Sequence, residues 1–234
     1  MKTLRNSSLI TLATVALALI VATPVAKASD LIYVVSFPST ATNFGATDLG
    51  LIPLFDSSLG TLNSITLTFA GGVTGTIQFT NNGTDPSNVS GHDNGTLTLT
   101  SSNVDLGLLF PSPLNVTTNT VTDTLLASGT TGPLHAVNGT NGGTSVSVNA
   151  VDFSVLEAVG GGTIDDLFFV AGNGSSTVSA GNGDGDAVYT TDAAAALKID
   201  YNYGGSPVPE PGTLSLFGTG LLGLAGMLRH KFAK

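Results

Sequence analysis

The chain has 234 residues, a formal net charge of −9, three histidines, and neither cysteine nor tryptophan. Lacking cysteine, it can form no disulfide, offer no thiol nucleophile and build no thiolate metal site. Its basic residues crowd the two ends. Between Ser29 and Ser206 a single lysine, Lys198, faces fifteen acids, a net −14, which excludes the basic surface that nucleic acid or an anionic membrane requires.

Taken in order, the chain begins with Lys2 and Arg5, an apolar run over Leu9–Val21, and Ala26-Lys27-Ala28. That order is a secretory signal over residues 1–28, with Ala26 and Ala28 as the small residues of the cleavage site. The short apolar run and the Pro24 that follows it argue against a retained membrane helix.

Residues 29–203 form the exported domain. Apolar and polar residues alternate there with period two: Ile65, Leu67 and Phe69 among threonines; Ile77 and Phe79 about Gln78; Leu97 and Leu99; Val146 and Val148; Val151, Phe153 and Val155; Leu197, Ile199, Tyr201 and Tyr203. Such runs are half-buried antiparallel strands, with β-branched threonine suited to the outward positions. Asn81-Asn82-Gly83, Asp93-Asn94-Gly95, Asn138-Gly139, Asn141-Gly142-Gly143 and Gly160-Gly161-Gly162 read as turns between them. The expectation is all-β: roughly ten short strands in an antiparallel β-sandwich, jelly-roll or immunoglobulin-like. Asp192 followed by four alanines could open a helix, but the run is too short to outweigh the strand after it.

One stretch is more particular. In Phe55-Asp56-Ser57-Ser58-Leu59-Gly60-Thr61-Leu62, Phe55 and Leu59 are expected to bury beside a turn at Asp56–Ser58, with Gly60 admitting a long strand. This stretch, together with the closing Tyr201-Asn202-Tyr203, resembles the choice-of-anchor E domain. That likeness implies a cargo domain upstream of a surface-sorting tail and carries over no catalytic residue.

Candidate chemistry is sparse. Asn182-Gly183-Asp184-Gly185-Asp186 places oxygen ligands at alternate positions, which suits calcium, with Asn182, Asp184 and Asp186 as ligands. It departs from an EF-hand loop at Ala180 and Thr191, and the competing reading is an Asx/Gly turn. Asp165-Asp166 could add ligands, but adjacent strand residues point to opposite faces. Asp152 and Glu157 are the one carboxylate pair that includes a glutamate, and His92-Asp93 falls in an expected turn. No nucleophile elbow or phosphate-binding glycine loop occurs, so the expectation is no enzyme.

The chain closes on a three-part tail. Residues 204–212 are a linker carrying Pro209-Glu210-Pro211, whose prolines fix φ and hold Glu210 extended. Residues 213–228 are uncharged and glycine-rich, a transmembrane helix of about 24 Å, short against a bilayer core of roughly 30 Å. Residues 229–234 bear Arg229, Lys231 and Lys234, a basic cytoplasmic stop. Hinge, short apolar helix and basic end together resemble the PEP-CTERM sorting domain of Gram-negative bacteria. The resemblance implies recognition of Pro209, Glu210 and Pro211 by an exosortase-type transpeptidase in the membrane. It implies passage through the periplasm on a transient inner-membrane anchor, then release to the cell surface or matrix. Three functions compete: a non-catalytic surface or matrix protein, a carbohydrate-binding module on extracellular polysaccharide, and a secreted hydrolase, for which the residues offer the least. The absence of tryptophan weighs against the second, since sugar platforms use broad aromatic faces.

Overall fold

Thirteen strands follow one another in chain order: β1 (Ala28–Ala41), β2 (Phe44–Asp48), β3 (Ile52–Pro53), β4 (Phe55–Asp56), β5 (Gly60–Asn81), β6 (Ser87–Ser101), β7 (Leu114–Thr117), β8 (Val121–Leu126), β9 (Thr131–Ser147), β10 (Glu157–Ala158), β11 (Thr163–Ile164), β12 (Phe168–Ala180) and β13 (Gly185–Gly205). One short helix, α1 (Val104–Gly107), lies between β6 and β7. This computed structural model describes residues 28–205 together with Thr219 and Gly220, which are helical. The expected signal segment before Ala28, the Pro209, Glu210 and Pro211 linker, the rest of the apolar segment, and Arg229, Lys231 and Lys234 lie outside the described residues. Among the described residues no helix is long and apolar enough to cross a membrane.

Ala28–Gly204 is one compact unit. Its strands form two large sheets, in the orders β1-β13-β5-β9 and β2-β12-β6-β7, with β8 also on β6. Both are antiparallel, as the alternation predicts. Two small pairs sit apart, β3 with β11 and the parallel β4 with β10. The first and last strands are neighbours, with Ala28 opposite Gly204 and Ala41 opposite Asp192.

The alternation also selects the inner faces. Ile65, Leu67, Phe69, Val73, Ile77 and Phe79 of β5 are buried, as are Val89, Leu97 and Leu99 of β6 and Leu197, Ile199 and Tyr201 of β13. The alanines of 193–196 continue β13 rather than opening a helix. Asn103 caps α1 by accepting from the Asp105 and Leu106 amides, and Leu106 anchors the helix in the core.

Three expectations are corrected. The strands of the two large sheets include long ones rather than short ones throughout, β5 reaching 22 residues and β13 21. Asp93-Asn94-Gly95, Asn138-Gly139 and Asn141-Gly142-Gly143 lie inside β6 and β9, not between strands. The reason is close approach. A methyl on Gly95 would strike Val73, and one on Gly139 would sit 2.3 Å from the Thr117 carbonyl oxygen. Glycine marks where backbones nearly touch here. Finally, Ala150–Val155 is a 3-10 turn rather than a strand, with Val151 fully outward.

The interior holds two apolar clusters of unequal size. The large one gathers Phe37, Phe55, Phe69, Phe110, Phe168 and Tyr201 with their aliphatic neighbours. The small one holds Ile77, Phe79, Val89 and Val137. Between them the inward positions are Gly75 on β5, Asp93 on β6 and Thr191 on β13, a polar seam across the sandwich.

Candidate functional site

The end of the domain where β13 stops is built on aromatic packing. Tyr201 is fully buried and donates its hydroxyl to the Pro53 carbonyl at 2.7 Å. Burial, with Tyr33 alongside, raises its phenol well above the usual range. The Phe55 ring lies 5.7 Å from that of Tyr201 and 5.1 Å from that of Tyr203. Asp56 follows directly. One of its oxygens accepts the Ser58 amide at 2.9 Å and the Gly160 amide at 2.9 Å. The Ser58 bonds, assisted by Gly160, hold the carboxyl below its ordinary pKa. That single oxygen pins the 3-10 turn Ser57–Leu59 to the glycine loop after β10. Phe55 is buried as expected, whereas Leu59 is 42% exposed, a correction. The turn at 57–59 leaves Leu59 facing outward, and Val159, next in the chain to Gly160, is 90% exposed.

Three carboxylates meet at a second place. Asp48, Asp165 and Asp166 have oxygens all within 4.8 Å of one another. Read as strand residues, Asp165 and Asp166 should diverge. They lie instead on a bend, with Asp166 left-handed at φ 52° and its carbonyl accepting the Ser102 hydroxyl. The bend turns both toward Asp48 at the end of β2. An all-oxygen set of this kind matches the ligand chemistry of a hard divalent cation. Sequence spacing alone hides it, because Asp48 is far away in the chain.

Residues 181–184 join β12 to β13, and Asp186 lies at the start of β13. The Asn182 amide nitrogen donates to Asn81 Oδ1 at 2.9 Å and to the Asp85 carbonyl at 3.1 Å. Its oxygen accepts the Asp184 amide, and Asp186 accepts the amide of Ala187. In these bonds Asn182 and Asp186 act through their side chains and Asp184 through its backbone amide. Asn81, fully buried, ties the loop inward. It donates to the carbonyls of Asp85 and Leu126 and accepts from the Gly83 amide and from Asn182.

Two acids are buried between the sheets. Asp93, placed in a turn by the sequence, is an inward residue of β6 and fully buried. Neither carboxylate oxygen has a hydrogen-bond partner. Burial raises it to about 6, against a smaller opposing pull from His92. Asp123 of β8 bonds His135 of β9 at 2.7 Å and joins the two sheets along one side. Asp152 and Glu157 sit on the 3-10 turn and on β10, in separate short elements.

The PEP-CTERM protein-sorting motif matches residues 207–229, immediately beyond β13. The motif implies exosortase-dependent sorting of an exported protein by way of the membrane. No curated protein matches the chain. Among solved structures, a chain from Bacillus endospore appendages, described as disulfide-linked pili, is 13% identical over 76% of this chain and 91% of its own, with a TM-score of 0.20. A chain of infectious bursal disease virus, Gx strain, is 11% identical over 84% of this chain and 48% of its own, with a TM-score of 0.14. Neither superimposes closely enough to carry fold or function to this protein.

Proposed function

We propose that this is a non-catalytic protein of the cell surface or extracellular matrix, delivered by an exosortase-type transpeptidase acting at Pro209-Glu210-Pro211. The observation that carries the reading is the sorting motif at 207–229, set directly behind the last strand of the domain. The chain enters the periplasm behind its signal segment, is held briefly at the inner membrane by residues 213–228 with Arg229, Lys231 and Lys234 inside, and leaves that membrane when the tail is processed.

The strand order supports a display scaffold. Counting β7 and β8 as one interrupted strand and setting aside the small pairs, the sheets run 1-8-3-6 and 2-7-4-5, the order of a jelly roll. A choice-of-anchor cargo domain is the reading of this scaffold that fits its place before the tail. The stacking platform of a carbohydrate module has thinner support. Among the described residues the strongly exposed aromatic is Tyr189.

Fractionation of the native host tests the reading. With the sorting enzyme present, the mature protein should be lighter than its precursor by the tail and recovered outside the inner membrane. Without the enzyme, or with Glu210→Ala, it should stay at full mass in the membrane fraction. Equal mass and location in all three strains would sink the proposal.

A further inference from the structure

Three residues, Ser206, Pro207 and Val208, separate Gly205, the end of β13, from Pro209, four steps along the backbone. A chain extends at most about 3.6 Å per residue, so that spacer spans no more than about 14 Å. A cleft that grips Pro209-Glu210-Pro211 must enclose residues on both sides of the motif. It therefore meets whatever the domain presents around Gly205.

What it presents is apolar. Tyr203 is two residues before the end of β13 and packs on Phe55 at 5.1 Å. The next residue, Asp56, binds the Ser58 and Gly160 amides to one oxygen, each at 2.9 Å. Those two amides belong to the chain neighbours of Leu59 and Val159. A single carboxylate thus ties together the two backbone segments that carry these aliphatic side chains, 42% and 90% exposed, and the first segment runs into β5, whose Asn63 bonds Asn202 near the end of β13. Neither belongs to the two apolar clusters of the described residues. The acids Asp56 and Glu157 border them, which gives an apolar centre with a polar rim, the usual composition of a protein contact.

We propose that Leu59 and Val159, fixed by Asp56, form a docking surface for the sorting enzyme, in addition to the peptide motif itself. The matching surface on the enzyme is an apolar seat bordered by hydrogen-bond donors or basic groups. This inference rests on the sorting function proposed above and adds that the cargo domain, not the tail alone, is recognised.

The test uses the full-length chain incubated with native-host membranes that contain the enzyme, read as the rate of tail removal by mass. The double variant Leu59→Ser/Val159→Ser should be processed about tenfold more slowly, in line with truncation of central interface contacts. Inserting about twelve Gly/Ser residues after Gly205 frees the motif from the domain, so the same double variant should then differ from its parent by less than about twofold. Val159→Ser alone, at a nearly fully exposed position, serves if the double variant melts lower than the wild type. Processing of both variants at the wild-type rate with the native spacer would overturn the docking surface while leaving sorting intact. An unprocessed wild type, indistinguishable from Glu210→Ala, would remove the sorting reading itself and this inference with it. Parallel loss of binding to protein-free vesicles of host lipid would assign the patch to lipid and overturn the docking to enzyme.

Discussion

The two halves of the sandwich are held by different physics. The half from which β13 emerges has the large cluster, six aromatic rings among its buried members, and Tyr201 bonded across to Pro53. The half at the β12–β13 loop has four buried apolar residues and relies on Asn81, whose amide makes four hydrogen bonds among three loops. The seam of Gly75, Asp93 and Thr191 divides them. The difference teaches that a threonine- and glycine-rich chain concentrates its large side chains at one end and closes the other with an amide.

Four substitutions sharpen or break that contrast. Phe55→Ala should cost most, about 3–5 kcal/mol, because it opens a cavity against both Tyr201 and Tyr203. Chemical denaturation would measure it, and a loss below about 1 kcal/mol would show that the aromatic end is not the principal support. Asn81→Ala should cost about 2–3 kcal/mol through the buried groups left unpaired. Hydrogen exchange should then show faster opening around residues 81–88 and 180–187 while β3, β4 and the Tyr201 region stay protected. Uniform acceleration would mean the halves open as one.

Gly75→Ala acts on the seam. A methyl there would lie 2.1 Å from the Thr190 carbonyl oxygen and 3.0 Å from Asp93 Oδ2, so about 1–3 kcal/mol of overpacking is expected. An unchanged melting curve would contradict the close approach of β5 and β13. Asp93→Asn has the smallest effect and the clearest pH signature. Burial raises Asp93 from 3.8 to about 6, so the folded state holds the proton more tightly than the unfolded one. Its contribution is fullest below about pH 3.8, declines as pH rises to about 6, and is level above. The variant should therefore be about 1–2 kcal/mol more stable than wild type at pH 7.5, with the gap closing below pH 4. A gap independent of pH would rule out a buried carboxyl as its source.

Much of this fold is legible in the sequence, because period two is a direct consequence of the pleat. Ile65-x-Leu67-x-Phe69 and Leu197-x-Ile199-x-Tyr201 announce both strand and inner face. Strand length is not legible, since glycine has two meanings. Gly160–Gly162 does form a loop, with Gly161 left-handed at φ 70°. Gly95 and Gly139 instead permit contact across the interior or along the sheet edge, and no local pattern separates the two uses. The same ambiguity hid Asp93. Beside Asn94-Gly95 it resembles a turn aspartate, and only the two-residue step from Gly91 through Leu97 marks it as inward. The acidic triad escaped for another reason: Asp48 reaches Asp165 and Asp166 through strand pairing across more than a hundred residues, which spacing cannot express.

The pairing of β1 with β13 has a consequence in time. Ala28–Ala41, the first strand of the compact unit in chain order, completes its ladder only with Asp192–Gly204, in the last. β13 also lies between β1 and β5, so the first sheet has a gap until it arrives. Contacts between residues so far apart in the chain form slowly, because the intervening loop must close first. A domain wired this way stays incomplete until its final strand is in place between β1 and β5, so its beginning and its end lock together in one late step.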